Sequence, residues 1–199
     1  ERRGEEVTRY ANQFLSEHRD EPFFLFVHYY DPHDSYAPPE PFASKFADDP
    51  YAGEIAYTDH CIGQVISGLK KLDLYDSTLI ILTSDHGEML GEHKETTHGY
   101  FVYQSVVHVP LIVRVPGEKQ PRRVEKLVGL VDIAPTVCDL LSIEPPQEMK
   151  GRSVLAKPSA NDTERAIYCE SVYPTLYNAS PLLAVVTPEW KYIHTVMIS

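Results

Sequence analysis

Cysteine is scarce. The three in 199 residues, Cys61, Cys138 and Cys169, lie far apart in no metal-ligand spacing, so neither a disulfide framework nor a thiolate-held metal organises the chain. Each reads as a small buried hydrophobe. No apolar run comes near the roughly 18–20 residues that a membrane span needs. Basic residues are also few, 18 Lys and Arg against 29 Asp and Glu, for a net charge of −11. Such a chain lacks the basic footprint that binds a phosphate backbone, and nucleic acid is not expected as a partner. It can still accept an anionic substrate where a metal and a few local cations neutralise the charge. No signal peptide is visible; Glu1-Arg2-Arg3 leads straight into an amphipathic pattern, as an internal segment would.

What is present reads as a folded α/β protein. Hydrophobic residues make up 43% and charged residues 24%, which decides against wholesale disorder. The length suits one ordinary domain, or part of a larger one. Val7, Tyr10, Ala11, Phe14 and Leu15 recur at helical spacing, and Glu21-Pro22 should break that helix just beyond Arg19. Phe23 to Val27 is a continuous apolar run, expected as a buried strand, with His28-Tyr29-Tyr30-Asp31-Pro32-His33 at its carboxyl end. A Pro-rich loop follows at Ala37–Pro41, then Asp49-Pro50 as N-cap and first residue of a helix with Ile55, Ile62, Val65, Ile66, Leu69 and Leu72 as its buried stripe.

Thr78 to Leu82 is a second apolar strand, suited to a sheet covered on both faces. The order helix, strand, helix, strand is βαβ logic, and it places the polar clusters after the two strands on one edge of the sheet. Leu111–Val115 is a third strand, closed by Pro116-Gly117, and a helix is expected over Asp132–Leu141. Beyond Pro145-Pro146 the texture changes to short strands at Ala166–Glu170, Leu183–Val186 and Trp190–His194, a small antiparallel sheet. The predicted division is 1–145 for the α/β core and 146–199 for a small antiparallel subdomain. Sequons at Asn161-Asp162-Thr163 and Asn178-Ala179-Ser180 leave the compartment open.

The stretch STLIILTSDHGEMLGEHKETTHG, Ser77 to Gly99, is where a buried strand turns abruptly into chemistry. In open α/β sheets ligands collect beyond the carboxyl ends of the strands. The adjacent Asp85 and His86 can turn towards one cation there, with Gly87 allowing a sharp turn beside them and His93 and His98 following in the same loop. The alternative is a polar turn with solvated histidines. The spacing matches neither H-E-x-x-H nor H-x-x-E-H, so it is not a zinc-protease motif.

Six segments in order carry a family pattern: FFLFVHYYDPHDSYAPPEPF (Phe23–Phe42), YAGEIAYTDHCIGQVISGLKKL (Tyr51–Leu72), TLIILTSDHGEMLGEH (Thr78–His93), VPLIVRVPG (Val109–Gly117), LVDIAPTVCDLL (Leu130–Leu141) and WKYI (Trp190–Ile193). On these the chain resembles the sulfatases of the alkaline-phosphatase-like superfamily, close to bacterial sulfatase-like hydrolases. The resemblance implies an α/β fold with a mostly parallel sheet flanked by helices. It implies that Asp85 and His86 are two ligands of a divalent metal, calcium in most sulfatases, with Mn2+ or another transition metal the alternative because imidazole is less typical of calcium. His33 stands where the family has a histidine reaching the sulfate ester. His98, thirteen positions after Asp85, stands where many relatives carry a lysine on the sulfate, and Lys94 in the same loop is a substitute for it. His28 and His93 are expected in supporting roles.

The family's nucleophile, a Cys- or Ser-x-Pro-x-Arg motif matured to formylglycine, does not occur here, nor do the two aspartates after its first strand. The expectation is therefore part of a sulfuric ester hydrolase whose nucleophile-bearing N-terminal half is absent from this chain, acting on a sulfated small molecule or glycan and inactive in isolation. Alternatives are a phosphodiester or phosphonate monoester hydrolase, or a phosphoglycerol-type transferase, on the same scaffold, and a degenerate binding domain. The resemblance favours a periplasmic or secreted protein.

Overall fold

A computed structural model of the chain describes residues 2–156 and 165–197. The described chain forms two compact units, one of Glu1–Ile80 with Val113–Lys119, the other of Ile81–Ile112 with Gln120–Ser199. Among the described residues no helix is long and apolar enough to cross a membrane.

The first unit is built on two helices. Helix α1, Gly4–Glu17, carries Glu5 and Glu6 in its first turn, where the helix dipole favours them, and buries Gly4, Thr8, Ala11 and Leu15. A short helix α2, Phe42–Lys45, leads to α3, Pro50–Lys71. Asp49 caps α3 as the sequence predicts: its carboxylate accepts the Ala52 N–H at 3.0 Å, Pro50 opens the helix, and Lys70 and Lys71 close it. Helix α1 packs on α3. The predicted stripe departs from the buried face at the start of α3, where Gly53, Glu54, Tyr57 and Cys61 are inside and Ile55 is 45% exposed; further along, Leu69 of the stripe is buried and Ile62, Val65, Ile66 and Leu72 are half-buried. Small residues at 53 and 61 allow close packing there, and Glu54 and Tyr57 are buried because each finds hydrogen-bond partners.

The predicted strand over Phe23–Val27 is corrected. The run is extended but forms no ladder, and Phe24 and Phe26 are 85% and 78% exposed while Phe23, Leu25 and Val27 are half-buried. An extended segment becomes a strand only when a neighbour takes its backbone groups, and no described strand pairs with this one. One face is turned to α1, where the Phe23 ring meets Phe14 edge-on at 6.1 Å; the other carries the two exposed phenylalanines.

Strand β1, Ile80–Thr83, and strand β2, Leu111–Arg114, form a two-stranded sheet. The mostly parallel sheet is thus not seen among the described residues, and β1 is half-buried rather than covered on both faces. Helix α4, Gln104–Val107, precedes β2. Helix α5, Ile133–Leu140, follows a 3₁₀ turn at Leu130–Asp132, close to the predicted span. Asp132 is fully buried there; it accepts the Gly129 and Arg152 N–H groups at 2.9 Å and pairs with the Arg165 guanidinium. The C-terminal antiparallel sheet is as predicted: β3, Ile167–Ser171, pairs with β4, Leu182–Val186, and β4 with β5, Lys191–Thr195. Cys169, Ala184 and Ile193 stand opposite one another on its inner side. Cys61 is buried and the other two cysteines are half-buried, all three free. The Asn161 sequon lies outside the described residues, and Asn178 is exposed.

Candidate active site

The loop after β1 is held by its own short-range bonds. The Asp85 carboxylate is 79% exposed; one oxygen accepts the His86 N–H at 3.0 Å and the other lies 3.9 Å from His86 Nε2. His86 Nδ1 is 2.9 Å from the Gly87 carbonyl, which can only accept, so the ring proton resides on Nδ1 and Nε2 keeps its lone pair. That tautomer is the one a metal-binding imidazole needs, with its other nitrogen fixed by an outer hydrogen bond. The carboxylate and the Nε2 lone pair therefore fit a divalent cation as two of its donors. Among the described residues no group of three or more His, Cys, Asp or Glu side chains comes together to hold a metal.

Gly87 is required by packing rather than by a sharp turn. Its N–H donates to the Val106 carbonyl at 2.6 Å, and a Cβ at this position would stand 2.2 Å from the Ser105 carbonyl oxygen. The loop is thereby pressed against α4.

His98 is drawn into the same cluster. Its ring stacks on His86 with centroids 4.0 Å apart, and its Nδ1 lies 3.1 Å from both oxygens of Glu88, whose side chain is 5% exposed. Glu88 was not singled out in the sequence; its one signal is an acidic residue directly after D-H-G in a histidine-rich loop. A carboxylate gripping Nδ1 fixes the ring. His93 is placed elsewhere. It sits in a left-handed conformation, φ 57°, with its ring stacked on Tyr103 at 4.0 Å, a packing role in keeping with the supporting one expected. Lys94 is exposed on the same 3₁₀ turn, at φ 66°. The turn is tied by Glu92, whose carboxylate accepts the Leu90 N–H at 2.7 Å and is held below the ordinary carboxyl range by that bond.

His33 belongs to the first unit. Its Nδ1 lies 2.8 Å from the Asp34 carbonyl, which can only accept, so that nitrogen carries the ring proton. Its ring stacks on Tyr30 at 4.3 Å, with the Tyr30 hydroxyl 3.4 Å from Nε2. The loop bearing it is stapled from below by Glu54, 2% exposed, whose two oxygens accept the His33 N–H at 3.1 Å and the Ala37 N–H at 2.8 Å. Asp31, also buried, accepts the Gly4 N–H and pairs with Arg3. A pocket of about 340 Å³ opens here, lined by Arg2, Arg3, Tyr30, His33 and Asp34 among others. Glu54 was hidden in the sequence by the misphased stripe. His28 stacks loosely on Phe26.

The α/β fold is shared with the phosphonate monoester hydrolase of Silicibacter pomeroyi, which superposes with a TM-score of 0.80 at 22% identity, over 98% of this chain and 53% of that one. The family model described as Sulfatase matches residues 3–143, and that described as N-sulphoglucosamine sulphohydrolase, C-terminal, matches residues 91–198. The chain belongs to the sulfatase family, a family of hydrolases. It is 37% identical over 151 residues to arylsulfatase K of Mus musculus, covering 72% of this chain and 27% of that protein. It is 28% identical over 207 residues to an N-acetylgalactosamine-6-O-sulfatase of Bacteroides thetaiotaomicron, covering 94% of this chain and 39% of the relative. The chain thus spans well under half the length of these two curated relatives.

Proposed function

We propose that this chain is part of a metal-dependent hydrolase of sulfate monoesters, acting on a sulfated sugar or glycan, with its nucleophile supplied by residues outside the 199. The observation that carries the reading is the Asp85–His86 pair, in which an exposed carboxylate stands beside an imidazole whose lone-pair nitrogen is fixed by the Gly87 carbonyl. The family membership gives that pair its context. The relative named N-acetylgalactosamine-6-O-sulfatase supports a sulfated amino sugar as the substrate class.

In this reading Asp85 and His86 hold a calcium ion, or Mn2+ in its place, which when bound would polarise the ester. His98, gripped by Glu88, turns Nε2 towards the sulfate oxygens, and Lys94 adds a mobile positive charge. His33 Nε2 gives a proton to the leaving oxygen as the sulfur–oxygen bond breaks; a general acid of this kind is worth about 10²–10⁴-fold in rate.

A second reading, a phosphonate monoester or phosphodiester hydrolase, is favoured by the fold likeness to the Silicibacter pomeroyi enzyme. The full-length protein, assayed with 4-nitrophenyl sulfate, bis(4-nitrophenyl) phosphate and a phosphonate monoester, separates the two. Preferential sulfate hydrolysis is expected. Preference for either phosphorus ester would move the assignment, and no turnover of any of them by folded, calcium-loaded protein would leave a degenerate binding domain.

A further inference from the structure

The 3₁₀ turn Tyr173–Tyr177 carries an arrangement that core packing does not explain. Its base is fixed: Pro174 is buried, Ala179 N–H donates to the Pro174 carbonyl at 3.1 Å, and the Ser171 hydroxyl donates to the Gly99 carbonyl. Gly99 has φ +94°, and a Cβ there would lie 3.3 Å from the Tyr173 ring, so this ring rests on the backbone directly after His98. Tyr100 completes a trio, edge-on to Tyr173 at 5.2 Å and tilted against Tyr177 at 5.2 Å. The Tyr173 and Tyr177 rings are 5.6 Å apart, with their hydroxyls 3.2 Å from each other.

Three aromatic rings in mutual contact would normally close a core, yet Tyr173 remains 42% exposed and Tyr177 57% exposed. Large aromatic surface held in solvent by a buried proline and paired hydroxyls is a preformed binding platform: the side chains have already lost their rotamer freedom. We infer that Tyr173 and Tyr177, braced by Tyr100, form a stacking subsite for the pyranose ring of a sulfated sugar whose sulfate is contacted by His98. A pyranose offers an apolar C–H face to an aromatic plane and hydroxyls at its edge, and the two phenols offer the matching plane and rim. The bond to Tyr177 holds the Tyr173 hydroxyl above its ordinary pKa, and burial does the same for Tyr100. The platform is tied to the chain one peptide from His98, within reach of a ring that carries the bound sulfate. This inference rests on the sulfatase reading of His98.

The test uses the full-length protein with N-acetylgalactosamine 6-sulfate as substrate and inorganic sulfate as a ring-free competitor. Tyr177 is the position to change, because its ring touches Tyr100 and Tyr173 rather than the His98 backbone. Tyr177→Ala is expected to raise KM about tenfold with little change in kcat, while inhibition by inorganic sulfate is unchanged. Tyr177→Leu, which keeps apolar area but loses the flat ring, should behave like Ala, and Tyr177→Phe should restore most of the affinity. An unchanged KM in Tyr177→Ala overturns the subsite. So does a parallel weakening of inorganic sulfate, which would mean that the turn merely supports the His98 loop. If the wild-type protein cleaves no sulfate ester, the sulfatase reading has failed separately. Calorimetric binding of N-acetylgalactosamine 6-sulfate to the same variants then decides, and a Kd that does not differ between wild type and Tyr177→Ala removes the platform.

Discussion

Glu54 and His33 share one loop, the first a buried carboxylate and the second the proton donor proposed above, and the two should fail in different ways. His33 offers Nε2 and otherwise stacks on Tyr30, so His33→Ala in the full-length protein should lower kcat by about 10²–10⁴-fold while the urea midpoint moves little. Glu54 is 2% exposed and satisfies two backbone N–H groups at once. Its loss takes the acceptor from two part-buried N–H groups, at up to about 1–3 kcal/mol for a group that water does not reach. Glu54→Ala should therefore unfold at clearly lower urea than His33→Ala. Equal midpoints for the two variants would mean that the loop is held by something other than this carboxylate.

Tyr57 makes a second residue-scale prediction, this time in pH. Burial pushes its phenol up to about 12, against which the Glu5 N–H donated to its oxygen works only in part. Between the ordinary tyrosine value and about 12 the folded chain keeps a proton that the unfolded chain has released, so stability is fully present below pH 10 and falls as pH rises from there towards 12. Tyr29 and the Cys61 thiol, raised by the same burial, add to that slope. Urea midpoints at pH 9 and pH 11 should differ in wild type, and the difference should shrink in Tyr57→Phe. A slope unchanged by that substitution would place the lost proton on other groups.

At the scale of elements, one tight constraint is the contact of the β1 loop with α4. Gly87→Ala would set a methyl group 2.2 Å from the Ser105 carbonyl oxygen, and backbone cannot yield as a flexible side chain does. The loop must shift, carrying Asp85 and His86 with it; a displacement of about 1 Å in a catalytic group can cost on the order of 10²-fold in rate. Gly87→Ala in the full-length protein should therefore lose activity on that scale and bind calcium more weakly, whereas Gly63→Ala, with nothing within 4 Å of its added methyl, should do neither. Wild-type activity in Gly87→Ala would show that the loop tolerates the shift.

The same elements show what was legible in the sequence. Helices α1 and α3 were, because a cap such as Asp49 and a break such as Glu21-Pro22 act within a few residues of chain. The antiparallel sheet was too, since each strand is short and bounded by turn residues. Phe23–Val27 was not, because an apolar run reports that a surface wants cover and says nothing about whether a ladder partner is at hand. The first turns of α3 were misread for a related reason: hydrophobicity ranks Ile55 above Gly53 and Glu54, while close approach and hydrogen bonding decide which face goes inside. In the candidate site, Asp85, His86 and His98 stood out by residue type. Glu88 and Glu54 did not, as a carboxylate becomes a brace only when the fold brings a donor to it.

For the molecule as a whole, charge sets the governing problem. These 199 residues carry a net charge of −11, which repels the sulfate ester proposed as substrate; at physiological salt that field is screened over about 8 Å, so within this chain the attraction would come from cations placed at the site itself. Nearby candidates are His98, which is cationic only when protonated, and Lys94 on an exposed turn; a divalent cation on Asp85 and His86 would outweigh both. Such an ion would bind the folded protein and not the unfolded chain, which would make it a stability term as well as a catalytic one. At a free concentration one hundred times its Kd the ion adds about 2.7 kcal/mol to the folding free energy. For the full-length protein, stripping calcium with EDTA should therefore lower Tm by several degrees, and restoring calcium should recover it. Asp85 is 79% exposed and accepts a backbone bond from its own neighbour, so Asp85→Ala should melt close to the metal-free wild type. That variant should also fail to respond to calcium. A full calcium-dependent rise in Asp85→Ala would place the ion on other residues and leave the acidic loop after β1 without its proposed purpose.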